Sequence, residues 1–406
     1  MNMRFGKNFN LLFLAFFLSS VGDWIFRLSI PIVIYKATNS PMAMAAAYAC
    51  SFAPIFLIMP FGGVIADRYN RKRILLLGDI LAAGVCCLIA LTIYNLEITG
   101  EWVLLPLVFV LATVTSVYHP TFQAVVPTLV ESDRLPHANA MIFTSESLIN
   151  VLGPLCGGLV VAFLGGTGAM LFDAVSYLIS FALIALITIP TLIRTNDESS
   201  LSVWKRLSDG FTLAMSIPLL RYGTFLFVFA NFATHLIVGN LIYFLATNIG
   251  LDAKDIGLTI ALTGLGGVLG AILAPTLNSK FSSGPLMLTA IMIGGCIVPM
   301  LLVASDMYSV ALVRGASMAL ESIIVVTMFT LRQRLVPADY LGRTVAITRA
   351  ISFSSIPLAA LVGGWLIQQT GGMSAVIWLS SSVLIVSGIW GWFTPFPNQQ
   401  KKVIAA

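Results

Sequence analysis

The chain has 406 residues, of which 58% are hydrophobic and 10% are charged, and its formal net charge is +5. This composition excludes a soluble globular protein, in which about 25% of the residues carry charge. The Lys and Arg residues mark the ends of apolar stretches rather than one basic segment, which argues against nucleic acid as a partner. Because the apolar stretches are unbroken, and a helical span needs about 20 apolar residues, we predict an all-α integral membrane protein.

Twelve apolar stretches follow one another, separated by Gly, Pro and charged clusters. In the first half we predict membrane spans at 9–36, 41–66, 73–95, 102–128, 138–165 and 168–193. In the second half we predict spans at 217–248, 255–278, 285–304, 308–334, 343–370 and 372–395. The only sizeable polar stretch of the sequence lies between these halves. We therefore predict an N-terminal six-helix half at 1–195, a cytoplasmic linker at 196–216 and a C-terminal six-helix half at 217–406.

The distribution of basic residues predicts the orientation of the chain. One set of chain ends and loops carries most of the Lys and Arg residues, whereas the opposite set holds only Lys36 and Lys254. Since basic loops stay in the cytoplasm, both termini and the linker are predicted to be cytoplasmic. We expect the chain to lie in a bacterial inner membrane.

The two halves are weakly similar to each other. At a constant shift of 206 residues, Leu129, Val130 and Asp133 recur as Leu335, Val336 and Asp339. Two similar six-span halves are the way in which many secondary transporters build a site that opens to either side of the membrane. The repeat therefore favours a transporter that works by alternating access.

The loop after the second predicted span carries the sequence Gly-Val-Ile-Ala-Asp-Arg-Tyr-Asn-Arg-Lys-Arg from Gly63 to Arg73. Asp67 would lie at the C-terminal end of its helix, where the helix dipole disfavours a carboxylate, so it needs a cationic partner or the N-terminus of another helix. A partner that changes with the state of the protein would make this loop a latch. The alternative is that the basic residues of the loop serve topology alone.

This loop resembles the G-x-x-x-D-R-x-x-R-K signature of the major facilitator superfamily, in which the acidic residue helps to hold two six-helix halves together on the cytoplasmic side. By that resemblance the gating latch comprises Gly63, Asp67, Arg68, Arg71 and the supporting Asp79. The latch would lock onto the start of the eleventh span, near Gly342 and Arg343. Asn70 replaces the usual glycine of the signature.

The fifth predicted span contains a second signature, which runs from Asn150 to Gly158 as Asn-Val-Leu-Gly-Pro-Leu-Cys-Gly-Gly. Glycines four residues apart let helices approach closely, and a proline bends its helix, so this face is built to pack or to pivot. It resembles the G-P-x-x-G-G antiporter motif of drug and metabolite exporters in the same superfamily, although ordinary packing stays an alternative. The motif residues are Asn150, Gly153, Pro154, Gly157 and Gly158.

The start of the chain extends the resemblance. Gly22 and Asp23 lie in the first span, Asn39, Ser40 and Pro41 follow it, and Asp79 lies early in the third span. With the two signatures, this pattern is similar to the exporter subfamily that includes macrolide efflux pumps and the enterobactin exporter. The fourth span lacks the arginine that many members of the superfamily carry there, which puts a standard proton relay in question.

Ionisable groups at bilayer depth cost several kcal/mol and are therefore functional candidates. Asp23 and Arg27 are four residues apart on one face of the first span, and Arg314 and Glu321 are seven apart on one face of the tenth. In the superfamily, spans one, four, seven and ten line the cavity, so the resemblance places both pairs around the substrate. We predict proton coupling through Asp23, Glu321 and Glu146, with permanent ion pairs or structural hydrogen bonds as the alternatives.

Polar and aromatic residues on the predicted fourth and seventh spans complete the candidate substrate cavity. They are Tyr118, His119 and Phe122 on the fourth span and Asn231 and His235 on the seventh. Histidine can shuttle protons near neutral pH, although a histidine in a helical bundle also serves simply as a hydrogen-bonding partner of its neighbour. The cysteines lack a C-x-x-C spacing and there is no nucleotide-binding loop, so we expect neither a metal site nor ATP-driven transport.

These features together predict a secondary active transporter rather than an enzyme. We expect a proton-coupled antiporter that exports an amphipathic drug or a secreted metabolite, such as a macrolide or a siderophore. It would need no cofactor besides the proton gradient, would contact membrane lipid, and would act as a monomer. An importer or a lipid flippase on the same fold is the alternative.

Overall fold

A computed structural model describes residues 5–58, 61–62, 65, 69–95, 101–131, 134–189, 203–336 and 338–397. These residues form helices joined by short connections, and no strand occurs among them. The helices that begin the chain are α1 Lys7–Thr38, α2 Pro41–Leu57, α3 Arg71–Tyr94, α4 Leu104–Leu129 and α5 Leu135–Ala185. They are followed by α6 Val203–Ser216, α7 Pro218–Val238, the single turn α8 Leu241–Tyr243, α9 Ala253–Lys280, α10 Ser283–Ile297, α11 Met307–Leu335, α12 Ala338–Phe353, α13 Ser355–Thr370 and α14 Ser374–Trp392.

The helices agree with twelve membrane spans. Ten stretches of the described residues are long and apolar enough to cross a membrane, and α2 is a shorter apolar helix. The 51 residues of α5 are far more than one span requires, and Gly165 interrupts the helix with a φ of 68°. Since only glycine adopts such a backbone without strain, α5 comprises two spans that meet at Gly165, close to the predicted boundary between spans five and six.

The chain divides into two compact units. One comprises Met1–Asn39 with Cys50–Ser200, and the other comprises Ser40–Ala49 with Leu201–Ala406. The sequence placed 40–49 in the N-terminal half, whereas the structure packs this segment within the second unit. The first turns of α2 lie directly against Gly364 of α13, where a Cβ atom would come within 2.6 Å of the Cβ of Ala45. The lack of a side chain at Gly364 makes this close contact possible.

In the first unit α1 packs along α5, and α3 packs against both α4 and α5. The interior contains a cluster of buried apolar residues, among them Phe9, Leu12, Phe16, Leu75, Phe122, Val125 and Ile184. Large apolar side chains such as Leu77, Leu81 and Leu88 of α3 are exposed. A helix that is apolar on both its buried and its exposed faces is typical of a protein surrounded by lipid.

In the second unit α9 packs closely against α11, while α7 packs against α13 and α14. Cβ atoms built at Gly266 and Gly270 of α9 would overlap the backbones of Gly315 and Ala319 of α11. Without a hydrophobic driving force between helices in lipid, such close backbone contact is a main source of helix association. The two glycines therefore set the distance between α9 and α11.

Outside the membrane, α11 begins with a capping box. The side chain of Asp306 accepts hydrogen bonds from the backbone amides of Tyr308 and Ser309, and these bonds hold the pKa of Asp306 below its usual value. Folding lowers the pKa of this carboxyl group, so the group contributes its full stabilisation at pH values above the pKa that it has in the unfolded chain. That stabilisation is lost as the pH falls through the pKa of the folded state. The cap thus fixes the start of the helix that carries Arg314 and Glu321.

We expect Gly270→Ala to destabilise the protein by about 1–3 kcal/mol, because the added methyl group must push α9 away from α11. The matched control is Gly84→Ala on α3, where a Cβ would meet no atom within 4 Å and helix propensity favours alanine. Chemical denaturation in mixed micelles measures both variants. Equal stability of the two variants would contradict the close packing of α9 on α11.

Candidate functional site

Asp23 of α1 faces a small polar cavity within the first unit. The cavity has a volume of about 20 Å³, room for about one water molecule, and its polar lining includes Ser19, Ser20, Thr115 and His119 besides Asp23. The hydroxyl of Tyr177, from the second span of α5, donates a hydrogen bond of 2.5 Å to Oδ1 of Asp23. The carboxylate therefore accepts a hydrogen bond from the protein and also faces a space that can hold one small polar molecule.

Arg27 does not form the ion pair with Asp23 that the four-residue spacing allowed. The ion pairs among the described residues join Arg314 to Glu321 and Arg134 to Glu131. The guanidinium of Arg27 instead lies 5.8 Å from the centroid of the Trp24 ring, and the residue is exposed. Arg27 is absent from the lining of the Asp23 cavity, and its place in the substrate cavity stays a prediction.

Asp173 is a second carboxylate beside Asp23. It is fully buried on α5, accepts a hydrogen bond of 3.2 Å from Ser176, and has the thiol of Cys86 at 3.4 Å. It lies close enough to Asp23 for their charges to interact. A Cβ at Gly22 of α1 would overlap Oδ1 of Asp173, so the glycine that precedes Asp23 admits this neighbour.

Asp79 belongs to the same interior rather than to a cytoplasmic latch. Its side chain is fully buried on α3, and Ser180 of α5 donates a hydrogen bond of 2.9 Å to its Oδ2. The hydroxyl of Tyr118, which lines the Asp23 cavity, lies 3.4 Å from that of Ser180. Oδ1 of Asp79 has no hydrogen-bond partner among the described residues. We therefore correct the prediction that Asp79 supports the loop.

The remaining members of the predicted latch are placed only in part. Gly63, Asp67 and Arg68 lie outside the described residues. Arg71, at the start of α3, donates a hydrogen bond of 2.9 Å from Nη1 to the backbone carbonyl of Ala124 on α4. Within the first unit Arg71 thus ties the beginning of α3 to α4.

The sequence analysis did not identify Tyr177 and Ser180, which donate hydrogen bonds to Asp23 and Asp79. It also did not identify Asp173, which lies beside Asp23. Asp173, Tyr177 and Ser180 follow one another at spacings of four and three residues, so they share one face of α5. This helical spacing was visible in the sequence. The role of Asp173 becomes clear only when the whole face is considered.

His119 and Phe122 of α4 have different surroundings. His119 lines the Asp23 cavity and contacts the ring of Phe16 edge-on, with 5.8 Å between the ring centroids. Phe122 stacks on Phe16 with centroids 4.3 Å apart and is only 1% exposed. Phe122 is therefore part of the apolar core of the unit and does not line the Asp23 cavity, and its place in the substrate cavity stays a prediction.

The glycine motif of α5 packs against α1 next to Asp23. A Cβ at Gly153 would come within 2.6 Å of the Trp24 ring, and one at Gly157 within 3.3 Å of Leu28. Pro154 and Gly158 are also buried, whereas Asn150 is exposed. Glu146 lies half-buried two turns before Gly153 on the same helix. The motif therefore sets how closely α5 approaches the helix that carries Asp23.

Arg314 and Glu321 of α11 form an ion pair in the second unit. Nη1 of Arg314 lies 3.3 Å from Oε1 of Glu321, and Thr234 of α7 donates a hydrogen bond of 3.2 Å to the same oxygen. The Arg314 side chain is 3% exposed and that of Glu321 is 30% exposed. The two side chains meet directly as an ion pair, which is the alternative that the sequence left open for them.

Polar residues of α7 connect it to two other helices of the second unit. The hydroxyl of Tyr48 on α2 lies 2.8 Å from Nδ1 of His235. Asn231 donates a hydrogen bond of 3.0 Å to the backbone carbonyl of Ser352 on α12. His235 and Asn231 therefore join helices, which is the structural alternative that the sequence left open for the histidine.

Comparison with known proteins places the chain in a family. The profile of the family described as "Transmembrane secretion effector" matches residues 5–406. The chain belongs to this family of the major facilitator superfamily. An enterobactin exporter from Salmonella paratyphi A is 26% identical over 394 residues, which are 94% of this chain and 90% of the relative. Macrolide efflux protein A from Streptococcus pyogenes is 21% identical over 396 residues, which are 95% of this chain and 94% of the relative.

Solved structures of transporters share the fold of this chain. A bacterial homologue of the iron transporter ferroportin has a TM-score of 0.74 at 17% identity, covering 95% of this chain and 98% of the other. A nucleoside transporter has a TM-score of 0.77 at 12% identity, covering 96% and 99%. The predicted twelve-span major facilitator fold is confirmed, and the chain is a multi-pass membrane transporter rather than an enzyme.

We expect the Arg314–Glu321 pair to be energetically coupled. A double-mutant cycle of Arg314→Gln and Glu321→Gln, measured by chemical denaturation, should give a coupling of about 0.5–3 kcal/mol, since each single variant leaves one charge without its partner. The matched control is the pair of Arg134 and Glu131, whose side chains are 51% and 76% exposed. That exposed pair should give at most about 1 kcal/mol. A coupling at α11 no larger than the control would contradict the ion pair.

Proposed function

We propose that this chain exports a small amphipathic molecule and that protons moving into the cell drive the export. The observation that carries the proposal is the carboxylate of Asp23, which faces a one-water cavity, is held by Tyr177 and lies next to Asp173. Titratable groups inside a membrane mark ion pathways and proton relays in pumps and transporters. Asp23 is the proposed proton carrier of the first unit.

The geometry around Asp23 supports proton exchange. Two ionised carboxylates that share a medium of low dielectric repel each other strongly, so a single negative charge on Asp23 and Asp173 costs less than two. A proton could reach Asp23 through the cavity, where His119 and five hydroxyl-bearing side chains provide donors and acceptors. Glu321, bonded to Arg314 and Thr234, is the proposed titrating group of the second unit.

The direction of transport is inferred from the relatives and from the glycine motif. The two relatives described above are named as an exporter and an efflux protein. The face of α5 that carries Gly153 and Gly157 packs onto α1 beside Asp23. A change in this packing would therefore alter the surroundings of Asp23, the proposed proton carrier. We propose Glu146 as a residue that couples proton uptake to such a change.

The cargo is proposed to be a drug-like amphiphile or a secreted metabolite, such as a macrolide or a siderophore. Energy would come from the proton gradient without a further cofactor, since each proton gains about 2.3 kcal/mol per 100 mV of membrane potential. We propose that the protein acts as a monomer in a bacterial inner membrane, with both termini in the cytoplasm. We further propose that Gly63, Asp67, Arg68 and Arg71 form a cytoplasmic latch.

Flux measurements test direction and cargo. In energised inverted membrane vesicles, we expect accumulation of a radiolabelled macrolide or of an iron-free catecholate siderophore, and we expect a protonophore to abolish it. Accumulation of neither compound would contradict the proposed cargo classes. Uptake in right-side-out vesicles but not in inverted ones would identify an importer instead.

We expect Asp23→Asn to abolish proton-driven transport while the protein still folds, because asparagine keeps the volume of the side chain but carries no exchangeable charge. The readouts are cargo-dependent proton flux in proteoliposomes and the elution profile in size-exclusion chromatography. Glu131→Gln, which removes an exposed carboxylate of the same unit, is the control and should transport normally. Undiminished proton-driven transport by Asp23→Asn would exclude Asp23 as the carrier.

Tyr177→Phe tests the hydrogen bond to Asp23 separately. The variant keeps the ring and removes only the donor, so we expect the number of protons moved per cargo molecule to fall while the Kd for cargo stays unchanged. Isothermal titration measures the Kd, and paired proton and cargo fluxes give the ratio. A weaker Kd with an unchanged ratio would show that Tyr177 serves cargo binding instead.

A further inference from the structure

An open apolar groove runs along the outer face of the second unit between α7 and α14. Two adjoining cavities of about 420 and 280 Å³ share Phe229 and Trp390 as walls. One end of the groove is lined by Arg221, Tyr222 and Phe225, and the other by Ser382, Val383, Val386 and Ser387. The residues that form this α7–α14 groove are thus aromatic and aliphatic along most of its length, with a single charge at one end.

The charged end of the groove lies at an end of the membrane span. Arg221 is the fourth residue of α7, whose apolar span begins at Pro218, and Trp390 lies in the last turn of α14. Aromatic and basic side chains at such positions lie at the level of the lipid headgroups. From Trp390 to Ser382 the groove runs eight residues along a helix, or about 12 Å, which fits within the roughly 15 Å of hydrocarbon in one leaflet.

The guanidinium of Arg221 is available to an anion. It lies 5.1 Å from the centroid of the Tyr222 ring, and it forms no ion pair with a described residue. Tyr222 and Phe229 both contact Trp390 edge-on, with centroids 6.1 Å apart in each case. The aromatic wall therefore begins directly beside a positive charge that has no ion-pair partner in the described part of the chain.

We infer that the α7–α14 groove binds a phospholipid with an anionic headgroup, with the phosphate at Arg221 and one acyl chain along the aromatic wall. A lipid of this kind has one charged end and an apolar remainder, which matches the distribution of charge in the groove. At the end of the groove away from Arg221, the only polar side-chain groups in the lining are serine hydroxyls. The hydroxyl of Ser387 already donates a hydrogen bond to the backbone carbonyl of Leu384. A macrolide or siderophore, with polar groups all around it, would leave those groups unpaired there.

Fluorescence quenching of the intact protein tests this inference. Phosphatidylglycerol and phosphatidylcholine with identical brominated chains are added separately to the protein in detergent. The fluorescence of Trp390 is obtained by subtracting the fluorescence of the Trp390→Phe variant from that of the wild type. We expect the phosphatidylglycerol to quench Trp390 at a concentration about fivefold lower, the factor that corresponds to about 1 kcal/mol for one basic residue at a membrane surface. Equal quenching by the two lipids would overturn the inference.

Two variants separate the groove from general surface charge. Arg221→Gln should remove the preference for phosphatidylglycerol, whereas Arg334→Gln, which removes an exposed arginine at the end of α11, should leave it intact. Loss of the preference in both variants, or in neither, would overturn the assignment to Arg221. Displacement of the brominated lipid by a macrolide or a catecholate siderophore at similar concentration would also overturn it, because the groove would then serve cargo. None of these readouts depends on transport.

Discussion

The structure depends on one constraint, which is that a polar or charged group inside a membrane must find its partners within the protein. In the first unit hydroxyl groups largely meet that constraint: Tyr177 donates to Asp23, Ser176 to Asp173 and Ser180 to Asp79. All three donors lie on one face of α5. This face thus brings a hydroxyl donor to each of three carboxylates, which lie on α1, α3 and α5.

The second unit meets the same constraint with an opposite charge. Arg314 and Glu321 neutralise each other on α11, and Thr234 adds a hydrogen bond from α7. A hydroxyl donor places only a dipole beside a carboxylate, whereas Arg314 places a full opposite charge beside Glu321. The two units are thus unlike in the region where protons would be exchanged, although the repeat at a shift of 206 residues suggests a common origin. On this physical ground we place Asp23 before Glu321 as the proposed proton carrier.

The fold could be predicted well from the sequence because the length of an apolar stretch depends only on residues that are neighbours in the chain. Each span can be recognised from about 20 neighbouring residues, and even the division of α5 follows from Gly165. The candidate site was harder, since hydrogen bonds join residues that are distant in the chain. Asp23 and Arg314 were recognised because a charge in an apolar stretch is conspicuous. Phe122 was harder to assign, because an aromatic residue looks the same in the sequence whether it faces a cavity or the core.

Close packing and chemistry coincide at Gly22 and Asp23. A side chain at residue 22 would overlap the carboxylate of Asp173, so the absence of one brings the second carboxylate next to the first. Gly153 and Gly157 have the same effect from α5, since they let that helix approach Trp24 and Leu28 of α1. A change of even a methyl group in this contact would therefore alter both the distance between the helices and the interaction between the two charges. If α5 moves relative to α1 during transport, the free energy of ionising Asp23 must change with that movement. The movement of the helix would then decide when the proposed proton carrier binds or releases a proton.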